Sequence, residues 1–126
     1  MSVTVSVLGS GSRGNTTFIK TSTTRILIDA GLSRKEIGKR LAPEVALLPI
    51  GAYYPESFRH VHMGPDEALQ VFHDLRAKWF VPMHYGSFKL SFEEMDAPPK
   101  WLQSLARKTG ISHRVRMLEE GVPEVF

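Results

Sequence analysis

Two short, continuously apolar segments, residues 45–50 and 79–83, constrain the fold of this chain most. Segments of this length and composition are typical of strands that are buried on both faces. A helical segment lies between them and begins at Pro65. Its apolar residues recur at helical spacing, at Ala68, Val71, Phe72 and Leu75. Two buried strands that flank an amphipathic helix predict a layered domain built around a sheet.

The rest of the chain supplies further elements of both kinds. β-Branched segments at residues 3–8, 16–20 and 25–29 predict three antiparallel strands. Ser33 and Glu36 have the spacing of a capping box, which predicts a short helix that ends near Leu41. A further helix begins at residues 98–99 and ends at Gly110, and residues 115–118 predict a last strand. The order β-β-β-α-β-α-β-α-β is that of a mixed α/β (α+β) domain, and residues 1–126 fit a single domain.

The stretch LGSGSRG has the G-x-G-x-x-G spacing of a dinucleotide-binding loop, in Gly9, Gly11 and Gly14. In that motif the glycines open a helix whose N-terminus binds a pyrophosphate. Here the residues that follow, as far as Asp29, are β-branched and strand-like, so no amphipathic helix follows the glycines. We therefore predict that residues 9–15 form a loop between two strands and bind no nucleotide.

Composition and charge narrow the classes of function. The chain has no cysteine, which excludes disulfides and thiolate metal sites, and no apolar run reaches membrane-spanning length. The first residues lack the pattern of a signal peptide, and we expect a cytoplasmic protein. Residues 1–42 contain seven Lys and Arg against two acidic residues, whereas residues 43–126 contain nine against eleven. The basic residues on the first predicted helix form either a solvated face or a nucleic-acid contact: Arg34, Lys35, Lys39 and Arg40.

Polar side chains that follow apolar strands are the candidate site residues, because ligands gather at the carboxyl ends of strands in α/β sheets. His84 directly follows such a strand and suits a metal ion or proton transfer. Asp29 ends the RILID strand, where it is equally a turn-forming aspartate. His60 and His62 form an H-x-H pair, which can share a metal on an extended segment. The remaining histidines, His73 and His113, lack a comparable setting.

Longer stretches resemble the metallo-β-lactamase superfamily, but two different branches of it. VSVLGSGSRGNTTFI followed by RILIDAGLSRKEIGKRL, within residues 3–42, resembles the amino-terminal segment of the exonuclease-like metallo-hydrolases. Residues 45–126 resemble the carboxyl-terminal part of the N-acyl-phosphatidylethanolamine phospholipase D-like branch. Four motifs occur there in family order: ALLPIGAYYP, VHMGPDEALQVFHDL, FVPMHYGSFKLSFE and APPKWLQSLA. The resemblance implies a shortened metallo-β-lactamase-like fold and phosphodiesterase-type hydrolysis by a bound metal.

The resemblance assigns roles to three residues of this chain. His84 in MHYGSF matches the last metal-ligand histidine of the family, and His62 in VHMGPDEA matches a histidine beside the substrate. Asp29 in LIDAG matches a structural aspartate that braces the metal-binding loops. His84 is thus the first candidate for a zinc ligand, with His62 and Asp29 after it, and no catalytic residue is assigned.

The H-x-H-x-D-H motif of the superfamily is missing from this sequence, and so is the later bridging aspartate. The family pattern places both between Leu41 and Val45, so we infer an internally deleted or chimeric chain, natural or engineered, joined near Pro43. A catalytic zinc site needs about three protein ligands. We therefore expect weak zinc binding, no other cofactor and weak or no hydrolysis, and whether the chain is an enzyme stays open.

Two functions of other classes stay open beside hydrolysis. The first is a non-catalytic module that self-associates, as a homodimer, through strand edges that the missing segment would cover. The second is nucleic-acid binding through the basic residues of 1–42, which a steep dependence on salt would reveal.

Overall fold

The fold is a five-stranded sheet with two α-helices against one face, in a computed structural model that describes residues 3–9, 15–29 and 43–125. The strands are hydrogen-bonded in chain order: β1 (Thr4–Gly9), β2 (Thr16–Lys20), β3 (Arg25–Ile28), β4 (Val45–Pro49) and β5 (Trp79–Met83). The helices are α1 (Pro65–Leu75) and α2 (Ala97–Lys108), with 3-10 helices at Glu56–His60 and Ser112–Arg114. None of the described helices is long and apolar enough to cross a membrane.

The sheet is half antiparallel and half parallel. β1, β2 and β3 pair antiparallel, whereas β3, β4 and β5 pair parallel. The parallel register places Ile26 beside Val45, and Val45 beside Trp79. Because parallel strands run in one direction, the carboxyl ends of β3, β4 and β5 lie at the same edge of the sheet.

The hydrophobic core lies between the helices and one face of the sheet. A row of side chains across four strands points toward the helices: Phe18, Leu27, Ala46 and Phe80. Phe72 of α1 stacks on Phe80 with ring centroids 5.4 Å apart, and both are fully buried. Full burial of one phenylalanine stabilises a fold by about 1.5–3 kcal/mol. This core fixes β5 against the helices, and β5 in turn positions the residue that follows it.

The structure confirms most of the predicted elements. Both apolar segments are strands that are buried on both faces, since the neighbours Val45 and Ala46 in β4 and Phe80 and Val81 in β5 are all buried. The two predicted helices at residues 65–75 and 98–110 are α1 and α2. The two strands on either side of the glycine motif, β1 and β2, pair antiparallel as predicted. Residues 10–14, on which the predicted loop falls, lie outside the described part of the chain.

One predicted strand is wrong, and neither 3-10 helix was predicted. Residues 115–118 make a single bridge, Val115 to Phe80, because a 3-10 helix ends directly before Val115 and a polar turn follows soon after Leu118. The 3-10 helix Glu56–His60 has no apolar periodicity and was not predicted. The predicted helix at residues 33–41, with its basic cluster, lies outside the described residues.

Candidate functional site

The carboxyl ends of the parallel strands share a backbone feature. Asp29 follows β3 with a φ of 59°, and His84 follows β5 with a φ of 61°. Ala52, shortly after β4, has a φ of 63°. Left-handed backbone is uncommon outside glycine, and it occurs preferentially at active sites and ligand clamps. This edge of the sheet is therefore the candidate functional site.

His62 and His84 lie side by side at this edge. Their ring centroids are 5.5 Å apart and their planes differ by 10°. His84 is exposed, whereas His62 is half-buried and its backbone N–H donates to the Phe58 carbonyl oxygen at 3.0 Å. The His62 Nδ1 is buried, and no hydrogen-bond partner for it is present among the described residues. A buried polar atom without a hydrogen-bond partner lowers the stability of the fold. Binding of a ligand to this nitrogen removes that cost and is therefore favourable.

The histidine pair has the chemistry of a metal site but few donors. Neutral imidazole nitrogens are common zinc ligands. Their lone pairs lie in the ring planes, so two stacked rings do not point at one ion until one side chain rotates. In the described ranges, no three His, Cys, Asp or Glu side chains are grouped closely enough to hold a metal. The pair therefore fits a weak metal site and is short of the three protein ligands typical of catalytic zinc.

The other predicted site residues lie apart from this pair. Asp29 is at the same edge of the sheet, where its N–H donates to the Leu47 carbonyl oxygen at 3.0 Å, but it does not complete a metal cluster with the histidines. His60 is exposed at the end of its 3-10 helix, and His62 stacks on His84 instead. His73 is exposed on α1.

Gly51 brings the end of β4 into contact with the backbone of His84. A Cβ atom at Gly51 would lie 2.2 Å from the His84 carbonyl oxygen. One residue earlier, the Ile50 N–H donates to the Met83 carbonyl oxygen at 3.0 Å and extends the β4–β5 pairing. Only glycine permits this approach of the two chains, so Gly51 determines how close β4 comes to His84.

Glu93 binds the segment that follows Gly51. Its carboxylate accepts hydrogen bonds from the N–H groups of Ala52 at 2.6 Å and Tyr54 at 3.1 Å. Burial works to raise the pKa of Glu93, but hydrogen bonds from Ser91 and from these two amides outweigh it and hold the pKa below its usual value. The hydrogen bonds from Ala52 and Tyr54 therefore favour the ionised form of Glu93.

Arg59 fixes the segment that carries His62. Its guanidinium carbon lies 5.6 Å from the ring centroid of Tyr53 and 5.6 Å from that of Trp101. Three carboxylates pair with the guanidinium: Glu56 at 3.5 Å, Asp66 at 3.2 Å and Glu67 at 3.2 Å. Desolvation works to lower the pKa of Arg59, and the carboxylates, Asp66 foremost, outweigh it and raise the pKa. Arg59 thus joins the first 3-10 helix to α1 and α2.

Sequence reasoning missed these three supporting residues. A glycine directly after an apolar strand is a usable signal for Gly51. Glu93 carries no such signal, because Glu94 beside it has the same chemistry. Arg59 belongs to a segment without periodicity, so its partners on two helices are visible only in the folded chain.

Comparison with known proteins gives a consistent result. Residues 27–85 match the model of the Beta-lactamase superfamily domain. A phospholipase D of Saccharomyces cerevisiae, named for hydrolysing N-acyl-phosphatidylethanolamine, is 37% identical over 84 residues, which are 66% of this chain and 18% of that protein. A UPF0173 metal-dependent hydrolase of Methanopyrus kandleri is 35% identical over 95 residues, 74% of this chain and 36% of that protein. The chain thus spans about a third or less of the length of these relatives.

Two solved structures share the fold. A metallo hydrolase from the archaeon Ignicoccus hospitalis superposes with a TM-score of 0.68 and 26% identity, over 95% of this chain and 51% of that one. An isothiocyanate hydrolase from Delia radicum gut bacteria has a TM-score of 0.70 and 18% identity, over 89% and 43% of the two chains. The matched range 27–85 crosses Pro43, and an origin from two parents stays a prediction. The chain is therefore similar to the β-lactamase superfamily domain over residues 27–85, and its fold is metallo-β-lactamase-like.

Proposed function

We propose that this chain carries part of a metal-dependent hydrolase site, in which His84 is the first ligand of a zinc ion and His62 the second. The observation that carries the proposal is the stacked histidine pair at the carboxyl ends of the parallel strands, with the His62 Nδ1 buried and available. The relative from Methanopyrus kandleri, named a metal-dependent hydrolase, supports the same chemistry.

The substrate class in this proposal is a phosphodiester, in line with the name of the yeast relative. A bound zinc ion supplies Lewis-acid chemistry that polarises a phosphoryl oxygen. The histidine pair supplies two of the three or so protein ligands that such chemistry normally requires. We therefore expect the 126-residue chain by itself to bind zinc weakly and to hydrolyse phosphodiesters slowly or not at all.

Zinc titration of the metal-free protein against a chelating dye tests the assignment. We expect His84→Ala to weaken zinc binding by about tenfold or more. Loss of a residue that only hydrogen-bonds to a metal ligand already weakens metal binding by about tenfold, and this variant removes a ligand itself. His62→Ala is expected to have a smaller effect in the same direction.

The matched control is His113→Ala, which removes an exposed histidine from the second 3-10 helix. This control should bind zinc as the unchanged protein does. Equal zinc affinity of the unchanged protein and the His84→Ala variant would show that the zinc site lies elsewhere.

Self-association is a second candidate function, and the exposed face of β1 supports it. Val5 is 60% and Val7 is 65% exposed on the same face of this strand. In the described part of the chain β1 pairs only with β2, so its other edge has no strand partner there. Apolar side chains beside an unpaired strand edge are typical of association surfaces. We propose that a second copy of this chain covers the surface.

Light scattering at micromolar concentration tests the dimer. We expect twice the 14.2 kDa mass of one chain, and a single-chain mass for the double variant Val5→Lys/Val7→Lys. The control Val122→Lys/Val125→Lys adds the same charges at exposed valines near the carboxyl terminus and should remain dimeric. A single-chain mass for the unchanged protein would rule the dimer out. Nucleic-acid binding stays a prediction, since its basic cluster lies outside the described residues.

A further inference from the structure

The side chain of Glu93 accepts hydrogen bonds from two backbone amides in the segment that follows β4. It lies in the segment before α2, far from β4 in sequence. Its two hydrogen bonds enclose Tyr53 between the bonded residues Ala52 and Tyr54, so the carboxylate holds a three-residue segment rather than a single group. Charge-assisted bonds of this kind are about twice as strong as bonds between neutral groups.

The segment that Glu93 holds includes a left-handed residue and follows Gly51, which lies against His84. Ala52 has a φ of 63°, a conformation that an alanine does not adopt without support. Gly51, the residue before it, lies so near His84 that an added Cβ atom would be 2.2 Å from the His84 carbonyl oxygen. Glu93, Gly51, Ala52 and His84 also line one shallow cavity. We therefore expect a displacement of Ala52 to change the position of His84 through Gly51.

We propose that Glu93 is a positioning residue of the candidate metal site, which holds the Gly51–Ala52 backbone in place and through it sets the position of His84. The inference rests on the proposed function, because the site that it supports is the proposed zinc site. Glu93 is not a metal ligand in this proposal: each of its oxygens accepts a hydrogen bond from a backbone amide.

Comparison of Glu93→Gln with Glu94→Gln separates positioning from charge and size, because both variants remove one negative charge and keep the size of the side chain. Glutamine has the same shape, but it accepts through one oxygen and places an NH₂ group against the second amide. We expect zinc to bind about tenfold more weakly to this variant, the magnitude seen when partners of metal ligands are removed. The matched control is Glu94→Gln, whose carboxylate is 80% exposed and pairs with Lys89 at 4.0 Å.

Imidazole resonances of histidine-labelled, metal-free protein give a readout that does not depend on zinc. We expect Glu93→Gln to shift the resonances of His84 and to leave those of His113 in place, while Glu94→Gln shifts neither. Unchanged His84 resonances in a folded Glu93→Gln variant would overturn the proposal. If His84 shifts although the unchanged protein binds no zinc, the positioning role stands and the proposed zinc site fails.

Discussion

Replacement of Gly51 by alanine is expected to lower the free energy of unfolding by about 2–3 kcal/mol, at the upper end for the insertion of atoms into a packed region. The new Cβ atom would lie 2.2 Å from the His84 carbonyl oxygen and 3.3 Å from its carbonyl carbon. Both are backbone atoms, so no side-chain rotation removes the clash. Relief requires the ends of β4 and β5 to separate, and the Ile50–Met83 hydrogen bond holds them together.

Urea unfolding followed by circular dichroism measures this loss of stability. Gly121→Ala is the control, because Gly121 has a φ of 77° and nothing within 4 Å of an added Cβ. The control should cost about 1 kcal/mol, the penalty of an alanine in left-handed backbone. A Gly51→Ala variant no less stable than this control would show that the strand ends accommodate a methyl group. The same variant should displace His84 and weaken zinc binding.

The elements of this fold follow from local patterns, whereas the supporting contacts of the site do not. Apolar runs and helical spacing predicted β4, β5 and α1, because a buried strand or helix needs apolar side chains at these spacings whatever it packs against. His84 was predicted as a site residue because it directly follows an apolar strand. Its pairing with His62 depends on a 3-10 helix that has no apolar periodicity, so local patterns contained no signal for it.

Long-range hydrogen bonds are the other part that the sequence leaves undetermined. Glu93 and Glu94 are neighbours of equal chemistry, and only the fold decides that the first binds the Ala52 amide while the second is exposed. The error at residues 115–118 has a related cause. An alternating segment forms a strand only where its backbone pairs along its length, and here the 3-10 helix that ends before Val115 leaves a bridge to β5 at one residue.

Arg59→Met tests how much the ion pairs of Arg59, which hold the segment before His62, contribute to the stability of the fold. Methionine keeps much of the side-chain volume between Tyr53 and Trp101, but it removes the charge that pairs with Asp66 and Glu67. The Arg59 side chain is only 18% exposed, while both carboxylates are 43% exposed. Loss of a fully buried pair costs about 3–5 kcal/mol. Because water reaches these carboxylates, we expect a smaller loss of about 2 kcal/mol.

The matched control for this variant is Lys100→Met. Lys100 pairs with Asp96 on the surface of α2, with both side chains more than half exposed. Exposed pairs contribute about 0–1 kcal/mol, so the control should unfold close to the unchanged protein in urea. The two variants remove the same charge, and a difference between them isolates the environment of Arg59. Since His62 follows the helix that Arg59 holds, its imidazole resonances should shift in Arg59→Met and not in Lys100→Met. Equal stability of the two variants, with His62 unmoved, would show that the aromatic contacts alone hold this segment.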